Sequence, residues 1–342
     1  MTKQMPPGQL DPKHQGQFSN GRVLASSDIQ KVVSWVNEGA VIDGGSDLLA
    51  SLTWPESEWA YGEPDLIIEL PPQEIPATGM IPYRYLSVTL ENHTEDRWIR
   101  ASQYLAGDPT VLHHTLHTIT APDDARSGNL LGSVGEAGTV SDAPQITAYV
   151  PGAEPTIAPE NTGSLLKAKS KIDFQLHYTT NGRESTDVSR IGVWFYDDDE
   201  IPDKRMSGNC ACIFPPQWTE ITPFDPAYEM SQSITIPKDA NLMSFLPHMH
   251  FRGKSMTFTA VYADGTEEEL VNVANYDYAW QLAYELNEPK FVSGGTVIRV
   301  DSVFDNSTQN PANPDPSRSV PWGQMSEDEM FFGVVNFMYT EQ

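Results

Sequence analysis

What most limits the folds open to this chain is the shortness of its apolar runs. Tyr85-Leu86-Ser87-Val88-Thr89-Leu90, Ile191-Gly192-Val193-Trp194-Phe195-Tyr196, the run from Ser255 to Tyr262 and Thr296-Val297-Ile298-Arg299-Val300 either alternate or are rich in β-branched and aromatic residues. That is the pattern of strands packed on one face. None approaches the roughly 20 apolar residues of a bilayer-spanning helix, so no membrane span is expected. Turn formers separate the runs, with 27 Pro and 24 Gly in 342 residues. The chain is therefore expected to be all-β, made of short strands stacked in sandwiches, and long enough for two cores. The Pro-rich stretch from Phe214-Pro215-Pro216 to Phe224-Asp225-Pro226 marks the boundary between them.

A formal net charge of −26 argues against nucleic acid as a partner, because phosphate contact needs a basic stripe and none occurs. An acidic surface of this kind is read as a solvated one.

Chemistry concentrates in the histidines. Of eight, only His14 and His93 lie apart. His113, His114 and His117 follow Val111-Leu112, and His177 stands in Phe174-Gln175-Leu176-His177-Tyr178. His248 and His250 stand in Leu246-Pro247-His248-Met249-His250-Phe251-Arg252-Gly253-Lys254. On a strand, His248 and His250 share a face and can reach one ion. The adjacent His113 and His114 would diverge on a regular strand, so joint ligation there requires a bulge or a strand end. Taken alone, His177 is an ordinary half-buried strand residue and Met330 an ordinary core residue. Taken together, the histidines with the thioether of Met330, in Asp328-Glu329-Met330, describe soft and borderline ligands suited to Cu(I), whereas zinc and non-haem iron rarely take thioether.

In motif and order these residues resemble the copper type II, ascorbate-dependent monooxygenases, the family of the peptidylglycine and dopamine hydroxylating enzymes. His113-His114 resembles its adjacent pair, and Leu176-His177-Tyr178 its third ligand. His248-x-His250 with Ser326-x-Asp328-Glu329-Met330 resembles its second copper site. The likeness covers residues 60–342. Tyr276-Asp277-Tyr278-Ala279-Trp280-Gln281 and the Asn-, Asp- and Pro-rich run from Phe304 to Pro316 resemble its bacterial branch, and both are read as turn-forming structure rather than chemistry.

The resemblance implies two jelly-roll-like β-sandwich domains, residues 60–215 holding one copper on His113, His114 and His177, and residues 216–342 holding a second on His248, His250 and Met330. It implies hydroxylation of a C–H bond with O₂ and a reductant such as ascorbate. The first copper would store and relay an electron; the second would bind O₂ and face the substrate. A separate electron-donor domain or protein is a further expected partner. Peptidylglycine enzymes carry an Arg two residues before the His-x-His pair, and Asn and Tyr two and four residues after the ligand Met. Here those positions are Leu246, Phe332 and Val334. A small apolar or aromatic substrate is expected instead. Two alternatives stand beside this reading: a catalytically inactive copper-binding or electron-transfer protein, and a zinc or iron hydrolase, against which Met330 argues.

Residues 1–42 read differently. Ser27-x-x-Gln30 forms a capping box, Ile29, Val32, Val33 and Val36 follow helical spacing, and Gly39 is the stop. With Met5-Pro6-Pro7, the segment resembles the tail of a c-type cytochrome domain whose Met would be the axial haem ligand. No Cys-x-x-Cys-His occurs, so no haem function is expected and the segment is read as a remnant of a longer gene product. Cys210 and Cys212, the only cysteines, are expected to be small apolar strand residues. Met1-Thr2-Lys3-Gln4 opens no apolar leader. The family resemblance nonetheless implies a periplasmic or extracellular protein.

Overall fold

The computed structural model describes residues 10–341 apart from 15, 22–23, 43, 46, 48, 54–55 and 123–145. It is an all-β structure of stacked sheets. In the C-terminal half, Ser207–Ile213, Phe331–Tyr339, Ala240–His248 and Tyr284–Val292 form one four-stranded sheet in that order, and Tyr228–Thr235, Val297–Phe304, Gly253–Val261 and Glu267–Val273 form the other. The alternation expected around Thr296–Val300 is realised in Val297–Phe304, where every second residue is buried. Phe245, Phe258, Phe304, Phe331 and Phe337 are fully buried in this core.

In the N-terminal half, Leu66–Glu69, Arg190–Phe195, Arg97–Leu105, Thr162–Leu166 and Lys204–Arg205 line up in one sheet, with Thr156–Ile157 also paired to Arg97–Leu105. A three-stranded sheet of Arg84–Thr89, Lys171–Tyr178 and Leu112–Thr120 supplies the second layer. A separate apolar cluster, including Leu166, Ile172, Phe174, Leu176, Ile191 and Val193, joins the two layers.

The N-terminal segment departs from expectation in two respects. Its helix spans Ser26–Asn37 with Ala25 as N-cap and no side-chain cap, so the Ser27–Gln30 capping box does not form. Ala25 takes an extended conformation and its carbonyl accepts the first amides, from Asp28 at 2.9 Å and Ile29 at 3.1 Å, which puts Ser27 inside the first turn. Gly39, at φ +92°, does end the helix, with Ala40 N–H returning to Trp35 O. Secondly, most of the apolar positions lie open: Ile29, Val32 and Val36 are exposed, as is Trp35, and only Val33 is half-buried.

Anchoring comes from the residues before the helix. Leu10 and Phe18 lie within the C-terminal core, Asp11 N–H donates to Asn272 O, and Ser19 N–H donates to Glu285 O. His14 sits between Gln17 Oε1 at 2.7 Å and Glu269 Oε1 at 2.9 Å. Met5-Pro6-Pro7 lies outside the described residues. Phe18 meets Phe245 and Tyr284 edge-on. Phe18→Ala should therefore lower the unfolding free energy by about 3–5 kcal/mol, whereas Val36→Ser should change it by less than about 0.5 kcal/mol. Urea titration of both variants checks the contrast.

Candidate metal centre

The strand Leu112–Thr120 pairs with Lys171–Tyr178 so that His114 faces His177, and the register breaks between Leu112 and His114. The extra residue at His113 is the bulge that joint ligation by neighbouring histidines requires. One ring nitrogen from each of His113, His114 and His177 lies within 4.8 Å of the others. Nδ1 of His113 is 3.0 Å from Nδ1 of His114, about the spacing of two nitrogens on one ion when each bond is about 2.0–2.1 Å. Burial and neighbouring imidazoles hold all three rings neutral: His113 is pushed down to about 4, His177 to about 3, and His114 well below the ordinary value. Neutral imidazole is the ligating form. His117 stays out of the group, its ring packed on Phe174. His93 stacks on Phe195.

The second pair straddles a strand end, since Ala240–His248 stops at His248 and His250 follows it. The two rings are nevertheless 5.3 Å apart between centroids, nearly perpendicular. His248 Nδ1–H donates to Gln281 Oε1 at 2.5 Å, and Gln281 Nε2 donates to Tyr278 O, which fixes the amide's orientation. His250 Nδ1–H donates to the carbonyl of Asp328 at 3.2 Å. Both partners are acceptors, so each ring keeps its lone pair on Nε2. Burial pushes His248 down to about 4 and His250 well below its ordinary value.

Glu329, fully buried, ties this turn to Met330. Its carboxylate accepts the backbone N–H of His250 at 2.8 Å, of Arg252 at 2.6 Å and of Met330 at 3.3 Å. Burial raises its carboxyl to about 8, against those donors and the Arg252 charge. Arg252, also fully buried, is held by Asn306 Oδ1 and the carbonyl of Glu327. The run from Phe304 to Pro316 thus serves as the turn structure expected of it, with Asn310 reaching Phe251 O. Gly253 closes the turn because a side chain there would run into Met249 and Tyr276. Met330 is buried with Phe332, whose ring lies 5.7 Å from that of His248.

The two histidine groups meet around one ring. Tyr278 stacks on His113 at 4.6 Å between centroids and 17° between planes, and stands edge-on to His250 at 6.2 Å. Its hydroxyl bonds Ser326 and lies 3.5 Å from His177 Nδ1. Tyr83 closes the other side, 4.5 Å from His177. The purely structural reading of Tyr276–Gln281 is thereby corrected for Tyr278 and Gln281. Tyr276 keeps to it, bonding the backbone of Met249. In sequence, the aromatic and amide residues of that run were the available signal for Tyr278 and Gln281. Tyr83 gave none.

A cavity of about 450 Å³ opens beside the histidines. His114 and His248 are both in its wall, with Ile99, Ile146, Leu246 and Phe332 among its apolar lining. Arg100, Glu154 and Glu285 line its exposed parts. Cys210 and Cys212 are not separate strand residues as expected. They form a disulfide and are fully buried beside Met330 and Phe332. The two side chains share one strand face, which brings the sulfurs together.

No family model and no curated protein matches the chain. Among solved structures, one of PNGF-II is similar at 11% identity with a TM-score of 0.29, covering 76% of this chain and 60% of that one. The infectious bursal disease virus VP2 subviral particle is similar at 7% identity and a TM-score of 0.22, covering 81% and 75%. The T=3 Penaeus vannamei nodavirus follows at 12% and 0.19, covering 87% and 98%. The chain thus spans 60% of the length of PNGF-II. At these scores the likenesses carry no activity and no site.

Proposed function

We propose that the chain is a two-copper monooxygenase that hydroxylates a C–H bond of a small apolar or aromatic molecule. The observation that carries this reading is that neutral, hydrogen-bond-oriented histidines from both halves reach one cavity with apolar walls. His113, His114 and His177 would hold one copper, and His248, His250 and Met330 the other. Copper so held supplies O₂ activation with electrons from a reductant such as ascorbate, one oxygen atom entering the product and the other leaving as water. The chain's own residues orient and exclude. Gln281 and the Asp328 carbonyl keep Nε2 of His248 and His250 available, and Glu329 fixes Met330 relative to His250. Leu246, Phe332 and Val334 offer the substrate apolar contact without charge.

An extracytoplasmic site of action is part of the proposal, supported by the Cys210–Cys212 disulfide, a bond rare in reducing compartments. No described helix is long and apolar enough to cross a membrane.

The copper-loaded chain should hold two ions, falling to one in His113→Ala/His114→Ala. With ascorbate, it should consume O₂ in proportion to a product heavier by one oxygen. One ion unchanged by the double replacement, or oxygen uptake with no oxygenated product from a panel of small aromatic and aliphatic compounds, would overturn the reading.

A further inference from the structure

Cys210, Cys212 and Met330 share one buried cluster at the sheet that carries His248. Cys210 and Cys212 are both 0% exposed and form one buried cluster with Met330 and Phe332. Register places them on the face that carries the site. Cys212 is opposite Phe332, and Phe332 is opposite His248, so the three form one row across adjacent strands. Cys210, Val334 and Leu246 form the next row. Directly opposed residues of antiparallel strands share a face, and Phe332, Val334, Leu246 and His248 all line the cavity. The disulfide therefore belongs to the same side of the sheet as the ligands, about two strand spacings of about 4.8 Å from His248.

A second observation points to a ligand there. Trp322 packs against this cluster, and its indole N–H is buried with no hydrogen-bond partner among the described residues. A buried donor without an acceptor is costly, and the cluster that Trp322 packs against holds sulfur, aromatic rings and Val334. A disulfide is a poor acceptor, whereas a metal-bound thiolate carries the charge that such a donor lacks.

We propose that Cys210 and Cys212 become a two-thiolate Cu(I) site, separate from the copper assigned to Met330, when the Cys210–Cys212 disulfide is reduced. Soft thiolate ligands select Cu(I). The step is a two-electron reduction. With a phosphine, the S–S bond breaks, phosphorus is oxidised to phosphine oxide with the oxygen of one water, and that water's two protons appear on the two thiols. Cu(I) then displaces both protons and bonds both sulfurs, while the Met330 sulfur stays with the His248 and His250 copper. The thiolate pair adds a metal position to the two of the proposed function and requires neither of them to turn over.

The test counts Cu(I) retained by the full chain against bathocuproine disulfonate, before and after anaerobic treatment with a water-soluble phosphine, with free thiols counted by alkylation and mass. Reduction should expose two thiols in the folded chain and raise retained Cu(I) by one equivalent. X-ray absorption should then report more sulfur per copper. Cys210→Ser/Cys212→Ser should keep the histidine-bound copper and lose the added equivalent, and Cys210→Ala/Cys212→Ala provides the same readout if the serines fold poorly. Reduction without an added equivalent, an added equivalent that survives in the cysteine variants, or a disulfide that resists the phosphine until the chain unfolds would each overturn the proposal. A disulfide-form chain that binds no copper would instead overturn the proposed function, leaving the phosphine-dependent equivalent to be counted by itself.

Discussion

Met330→Ile should abolish turnover while leaving the fold in place. Isoleucine fills a similar volume with no sulfur, and volume-conserving apolar exchanges usually cost less than about 1.5 kcal/mol. Met330 is 5% exposed against Phe332 and the cysteines, a setting that accepts apolar bulk. The copper on His113, His114 and His177 should remain bound and reducible, because those residues come from the other sandwich. The Cu–S contribution of the reduced, disulfide-form protein should disappear. If sulfur scattering persisted in that form, Met325 would be the ligand and the assignment of Met330 would be wrong.

Removing the Glu329 side chain should be the most destabilising single change at the site. Glu329→Ala leaves three backbone N–H groups without their acceptor. Each buried donor left without an acceptor costs about 1–3 kcal/mol, so a total loss of about 3 kcal/mol or more is expected. Glu329→Gln keeps one good acceptor oxygen and turns an NH₂ group toward a backbone donor, a smaller loss of about 1–3 kcal/mol. The expected order of stability is wild type, Gln, then Ala. Copper at His248 and His250 should weaken in the same order while the three-histidine copper is unchanged. Denaturant unfolding and metal titration of the three proteins check both orders. Equal stability across them would mean that Glu329 does not hold the turn.

Much of the architecture was legible because strand periodicity is local. Tyr85–Leu90, Ile191–Tyr196, Ser255–Tyr262 and Thr296–Val300 each fall on a strand but for one end residue. The bulge at His113 followed from a geometric requirement that two neighbouring residues alone impose. Less legible was anything set by distant pairing. Leu10 and Phe18 gave no periodic signal, and only packing against distant residues such as Phe245 and Tyr284 makes them part of a core. The helix Ser26–Asn37 shows the converse, an amphipathic pattern with no described partner for its apolar side. Glu329 read as part of a motif, but its role as acceptor for three amides depends on a turn nearly eighty residues upstream. Tyr278 and Gln281 sat in a run whose Asp277 makes a turn, and that local role concealed their reach into the site.

Tyr278 also bears on how interchangeable the two halves are. It belongs by sequence to the C-terminal sandwich, yet its ring is stacked on His113 of the N-terminal one. A hybrid protein joining this N-terminal half to a C-terminal half from elsewhere would keep every histidine ligand of the first site and still lose one wall around it. Compatibility between recombined halves should therefore follow the residue at position 278 more closely than overall identity between the parents. A library of such hybrids would sort into metal-retaining and metal-leaky members on that side chain.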